Sequence, residues 1–251
     1  MKIAISGKGG VGKTTILALM AAALRRAGKE VLLIDADPSP HMAETVGITD
    51  LVGITPIAEM KELLAERTGK AEGSPFYNIN PKVDDLLEKY MVTKDGISLM
   101  VLGAIQSGDG GCACAENTVL RRLLTKLLLN PSQVALIDME AGVEHLGRGT
   151  LAGADHLLIV AIPSRSSVRT AEKIKKLALE VGIPKIDHVG NLVMNDDDRK
   201  FLAENLDPTP VAFFPDSRNV RQAERKGESV IHHGDDTAAP MDALLTHLGL
   251  A

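Results

Sequence analysis

The run Gly7-Lys8-Gly9-Gly10-Val11-Gly12-Lys13-Thr14 has the residue types and spacing of a phosphate-binding loop. It fits the pattern G-x-x-x-x-G-K-[ST], in which glycines free the backbone to turn successive N–H groups onto a polyphosphate. Gly9, Gly10, Val11 and Gly12 supply those groups, and a following helix adds the positive potential of its N-terminus. Lys13 is placed to reach the β- and γ-phosphates, Thr14 to ligate Mg²⁺, and Thr15 to bond a phosphate through its hydroxyl. The implied chemistry is binding of ATP or ADP with Mg²⁺, followed by phosphoryl transfer. That reaction asks for positioning and charge neutralisation more than for a covalent nucleophile. Carboxylates at strand ends meet this need. Asp138 closes the apolar run 134–137, the place for a residue that holds Mg²⁺ through water. Asp35 and Asp37 stand two apart at the end of another apolar run, so both can face the phosphates. A turn-forming role beside Pro38 is the alternative for either.

A second chemistry is carried by sulfur. Cys112 and Cys114 are the only two cysteines, and they lie in the glycine-rich stretch Gly108-Asp109-Gly110-Gly111-Cys112-Ala113-Cys114. Helix N–H groups nearby would favour thiolate. Two small buried side chains are the bland alternative, but a polar, flexible loop favours metal binding. One pair supplies two ligands where a closed site needs four, and a symmetric dimer would supply the rest. Thiolates suit Ni²⁺, Zn²⁺, Cu⁺ or an iron–sulfur cluster.

These residues need elements to position them. Short apolar runs at 2–5, 31–34, 98–102, 134–137, 157–162, 188–194 and 211–214 read as buried parallel strands, because they are continuous rather than alternating. Between them lie helical stripes. Ile16, Met20, Ala23, Leu24 and Ala27 form one, ended by Gly28. Val119, Leu120, Leu123, Leu124, Leu127 and Leu128 form another, with Asn117 as N-cap and Asn130-Pro131 as the stop. Ile174, Leu177, Ala178 and Val181 form a third, ended by Gly182. The order predicts an α/β fold, a doubly wound, mostly parallel sheet of about seven strands with helices on both faces. Ligands then bind at the carboxyl ends of the strands. The chain reads as one domain over 1–251, with a partly helical insertion around 51–97.

Composition bounds the function. Net charge is −5 and aromatics are 2% of residues, which argues against a general cationic face or base-stacking surface for nucleic acid. No apolar run reaches membrane-spanning length. The C-terminal stripe Met241, Leu244, Leu245 and Leu248 lacks the Lys and Arg of a membrane-surface helix, so a packed helix is expected. One closely spaced cysteine pair does not make a secreted disulfide framework, and the expectation is a reducing cytoplasm.

With Lys8 as a second lysine in the loop, the segment Lys8 to Thr15 resembles the deviant Walker A loop of the MinD-type ATPases. That group includes the nitrogenase iron protein, partitioning and septum-placement ATPases, and metal-insertion ATPases. The resemblance implies a homodimer that sandwiches nucleotide, with Lys8 reaching the partner's phosphates. It implies that Asp37 orients the attacking water and that Asp35 contributes near Mg²⁺. Asn195 matches the family's adenine-contacting Asn, and Pro215 with Asp216 resembles its base-pocket loop; ordinary strand-to-helix turns are the alternative for the last two.

Cys112-Ala113-Cys114, together with the stretch from Asp138 through His145 to Thr150, resembles the CooC-type nickel-insertion ATPases over essentially the whole chain. This implies nickel (or zinc) held between paired cysteines and delivered to a carbon monoxide dehydrogenase-type enzyme. A His-rich nickel-storing tail is missing: His232-His233 is an isolated pair. Two rivals remain open at this point. A MinD/ParA-like positioning switch would need a basic DNA face or a basic membrane helix. An iron–sulfur ATP-dependent reductase would match in thiolate number, although the nitrogenase iron protein takes its cysteines from two separate loops.

Overall fold

The computed structural model describes residues 1–37, 41–48, 55–69, 78, 80–103, 114–127, 130–139 and 153–251. Cys112, His145 and most of the stretch that follows Met139 fall outside them, as does Leu128.

Eight strands form one sheet. They are β1 (Lys2–Gly7), β2 (Glu30–Ala36), β3 (Val92–Lys94), β4 (Ile97–Val101), β5 (Gln133–Met139), β6 (His156–Ala161), β7 (Ile186–Val193) and β8 (Ala212–Pro215). Their spatial order is β3-β4-β2-β5-β1-β6-β7-β8. Seven of the eight are parallel and correspond to the seven apolar runs. The eighth, β3, pairs antiparallel with β4 at the edge. It is short and polar, so continuous hydrophobicity does not reveal it. A usable signal was present: Asp95 and Gly96, at φ 50° and 73°, form the two-residue connection between β3 and β4 that Asp-Gly favours.

The described helices are α1 (Lys13–Arg26), α2 (Met42–Thr45), α3 (Lys61–Thr68), α4 (Leu86–Tyr90), α5 (Cys114–Lys126), α6 (Arg165–Glu180), α7 (Asp196–Asn205), α8 (Arg218–Lys226) and α9 (Ala238–His247). The stripes ending at Gly28 and Gly182 are α1 and α6. The stripe from Val119 is α5, but that helix begins at Cys114, so Asn117 lies inside it and is not its N-cap. The segment around 51–97, read from sequence as an insertion, includes α3, α4 and β3 among its described residues.

Strand alternation divides the core in two. Ile3, Ile5, Leu33 and Leu136 face a layer shared with α1, α8 and α9. Ala4, Ile34, Ala135 and Ile137 face the other, shared with α3, α4, α5, α6 and α7. A sheet covered on both faces explains why its strands read as unbroken apolar runs. Met241, Leu244, Leu245 and Leu248 are buried, so the terminal helix packs as expected. Asp187 also fastens it, accepting from His247 Nε2 at 2.9 Å and His156 Nε2 at 2.6 Å.

Candidate functional site

The phosphate loop joins β1 to α1 at the carboxyl edge of the sheet, beside the ends of β5 and β6. Its glycines answer to specific contacts. A Cβ on Gly7 would stand 2.5 Å from the Val160 carbonyl oxygen, and one on Gly12 would stand 2.4 Å from Asn191 Nδ2. Gly10 and Gly12 have φ 76° and 85°, the left-handed region that L side chains avoid. Gly9 and Gly10 border open space, while Val11 is buried and anchors the loop.

Around this loop the expected side chains converge. Lys13 is buried at the start of α1. Thr14 Oγ1 donates to Asp138 Oδ2 at 2.5 Å. Asp138 is 1% exposed and lies in register with Ile5 on β1 and Asp35 on β2. Burial pushes its carboxyl up to about 7; Asp35 and Asp37 add to the rise, and Thr14 and Lys13 oppose it. Asp138 Oδ1 is buried with no partner among the described residues. An orphaned buried oxygen beside a hydroxyl and a lysine fits the Mg²⁺ of a bound nucleotide.

Asp35 has a local task. Its Oδ2 accepts from the Met42 N–H at 2.9 Å and its Oδ1 from the Asp37 N–H at 3.2 Å, so it staples the chain that leaves β2. Burial raises its carboxyl above the usual range. Asp37 is half-buried beyond that staple. Lys8 is exposed, and its Nζ donates to Ser166 Oγ at 3.0 Å in the first turn of α6. Thr15 Oγ1 donates to Glu224 Oε1 of α8 at 2.8 Å.

Next to the loop is a cavity of about 380 Å³, within the size range of small-ligand sites. Its lining includes Gly10, Gly12 and Thr15 of the loop and α1, and Asn191, Pro215, Asp216 and Glu224. Pro215 and Asp216, expected from the resemblance to lie in a base-pocket loop, line this cavity, with Asp216 Oδ2 paired to Arg221. Asn195 does not line this cavity. Its side chain caps α7, accepting from the Asp198 N–H at 3.0 Å. Asn191 takes the cavity position and donates from Nδ2 to the Val11 carbonyl at 2.7 Å. Asn191, Arg221 and Glu224 were missed from sequence. A polar residue inside the apolar run of β7 was the available signal for the first.

The backbone places Cys114 at the start of α5, and Cys112 is outside the described residues. Among the described residues, no group of three or more His, Cys, Asp or Glu is arranged to hold a metal ion. Nor is any helix among them long and apolar enough to cross a membrane. Asp196, Asp197 and Asp198 form the first turn of α7, where negative charge suits the helix N-terminus.

The CobQ/CobB/MinD/ParA nucleotide binding domain matches residues 2–230. The carbon monoxide dehydrogenase accessory protein CooC of Rhodospirillum rubrum is 38% identical over 258 residues, covering 99% of this chain and 98% of that protein. An uncharacterised ATP-binding protein of Methanocaldococcus jannaschii is 38% identical over 235 residues, covering 92% and 91%. Among solved structures, the septum site-determining protein MinD of Pyrococcus horikoshii, complexed with Mg-ADP, superposes with a TM-score of 0.69 at 21% identity, covering 98% of this chain and 95% of that one.

Proposed function

The chain belongs to the CobQ/CobB/MinD/ParA nucleotide-binding family and, within it, to the CooC-type ATPases; from that premise we propose that it is a metallochaperone that couples ATP hydrolysis to delivery of nickel. Its client is a nickel-containing enzyme of the carbon monoxide dehydrogenase kind, in the cytoplasm, with neither membrane nor nucleic acid as partner. In this reading Lys13 and the N–H groups of Gly9, Gly10, Val11, Gly12 and Thr14 hold the phosphates. Thr14 and Asp138 hold Mg²⁺, which when bound neutralises charge on the transferred phosphoryl group. Asp37 orients the attacking water. Asn191, Pro215 and Asp216 border the base.

Two copies of the chain close on ATP. Lys8 leaves Ser166 and reaches the partner's phosphates. Cys112 and Cys114 from each protomer then make a four-thiolate site for Ni²⁺ (or Zn²⁺), which is cargo rather than a resident cofactor. Hydrolysis loosens the dimer and releases the metal.

The reading rests on one observation above others. The likeness to a carbon monoxide dehydrogenase accessory protein runs along 99% of this chain, well beyond the phosphate loop. The test is an anaerobic Ni²⁺ titration of the wild type and of a Cys112→Ser, Cys114→Ser variant, with and without ATP. The variant is expected to bind ATP normally and to lose the metal. Full metal stoichiometry in the variant would overturn the cysteine assignment, and ATP-dependent co-sedimentation with DNA or liposomes would point to a positioning switch instead.

A further inference from the structure

Strand β7 departs from regular geometry where it passes the phosphate loop. Gly190 pairs with Phe213 and Val193 with Pro215, and the register shifts between them. Three steps on β7 therefore match two on β8. An extra residue of this kind is a β-bulge, a device that re-aims side chains and recurs beside functional sites. Leu192 sits in the bulge at φ 53°. The left-handed region is uncommon for a bulky side chain, and it persists only where the surroundings hold it.

The surroundings here are tight. A Cβ on Gly190 would stand 2.7 Å from the Phe213 ring and 3.0 Å from Leu202, so β7 is pinned against β8 and α7 just before the bulge. After the bulge, Val193 is buried again. Two consequences follow for the residues between. Asn191 is 6% exposed and spends its amide on the Val11 carbonyl at 2.7 Å, close enough to Gly12 that no Cβ fits there. Leu192 is 36% exposed, and it lines the cavity together with Gly10, Gly12 and Thr15.

We infer that Leu192 is a specificity-determining residue of the nucleotide site: its left-handed backbone directs Asn191 onto the phosphate loop, and its side chain is an apolar wall for a purine base. The inference rests on the nucleotide reading of the cavity given above. It separates into two parts that different substitutions address. Asn tolerates the left-handed region, so Leu192→Asn keeps the backbone and removes the wall. Val is apolar but β-branched and does not adopt that region, so Leu192→Val keeps much of the wall's chemistry and displaces the backbone.

Calorimetric binding of Mg-ATP and of Mg-tripolyphosphate reads the two parts apart, with circular dichroism reporting the fold. Wild-type protein is expected to hold ATP more tightly than tripolyphosphate. Leu192→Asn should weaken ATP on the order of tenfold, the loss of one apolar contact surface, and leave tripolyphosphate within about twofold. Leu192→Val should weaken both by about fivefold or more, because Asn191 no longer supports Val11 and Gly12. If Leu192→Asn binds ATP as the wild type does, the wall is wrong. If a folded Leu192→Val binds both as the wild type does, the backbone role is wrong. Should Leu192→Val fail to fold, Leu192→Asn still decides the specificity claim. A wild type that holds ATP no better than tripolyphosphate would instead refute the base-cavity reading beneath it.

Discussion

Replacing Asp138 by Asn should make the nucleotide-free protein more stable at pH 8 while abolishing its response to Mg-ATP. The carboxyl is 1% exposed, and burial raises its pKa from 3.8 to about 7. A folded-state pKa above the unfolded one means that the native protein binds the extra proton between those values. Stability therefore falls as pH rises from about 4 to about 7 and is level above that. At roughly 1.4 kcal/mol for each pH unit, the ionised carboxylate costs the empty site about 4 kcal/mol at pH 8. Asn removes the charge and can still accept from Thr14. It also leaves an amide N–H₂ where Oδ1 has no partner, at a cost of about 1–3 kcal/mol. The net expectation at pH 8 is a gain of about 1–3 kcal/mol. At pH 5 the native carboxyl is already neutral, so the gain disappears or reverses. Urea denaturation in EDTA at pH 5 and pH 8 measures both. An Asp138→Asn variant with the same pH dependence as the wild type would refute the argument that burial of this carboxylate is the strain nucleotide and Mg²⁺ relieve.

Two further substitutions probe the scaffold. Gly12→Ala places a Cβ about where the Asn191 amide sits and at φ 85°, so ATP binding should fall by at least about a hundredfold, equivalent to about 3 kcal/mol; unchanged affinity by calorimetry would show that this close approach is not required. Asp187→Asn should destabilise the protein by about 1–3 kcal/mol at neutral pH, since the amide oxygen can still accept from His156 and His247 but the half-buried negative charge that strengthens both bonds is lost. Burial alone would raise the Asp187 carboxyl, but the bonds from His247 and His156 outweigh it and hold it below its ordinary value. Its contribution is therefore present above about pH 4 and lost as pH falls through the lowered value, so the two urea curves should converge in acid. Persistent separation at low pH would contradict that assignment.

How much of this was legible in the sequence depends on how local each signal is. The phosphate loop is contiguous, and close contacts at Gly7 and Gly12 and left-handed backbone at Gly10 and Gly12 demand glycine there. The parallel strands were legible because both faces are covered, which leaves unbroken apolar runs. β3 was not, because a three-residue edge strand is polar and only its Asp-Gly turn marks it. Of the two asparagines near the end of β7, the cavity is lined by Asn191 and not by Asn195. The family resemblance, placed at the end of an apolar run, pointed to Asn195; beside a bulge with a left-handed Leu192, Asn191 bonds the Val11 carbonyl. No periodicity encodes that. Thr15 with Glu224, and Lys8 with Ser166, join segments 209 and 158 residues apart, and only the folded sheet brings them together. Asn117 looked like a cap by residue type, but the helix begins three residues earlier, at Cys114.

The central claim is that filled nucleotide sites bring two chains together around one ion. Anaerobic native mass spectrometry of the full chain, incubated with Ni²⁺ and a non-hydrolysable ATP analogue, tests it in a single spectrum. The expected species is a dimer carrying two nucleotides and one nickel, absent when nucleotide is omitted and reduced to monomer by Lys8→Ala. A protein that stays monomeric with nucleotide bound, or that binds nickel as a monomer regardless of nucleotide, would contradict it.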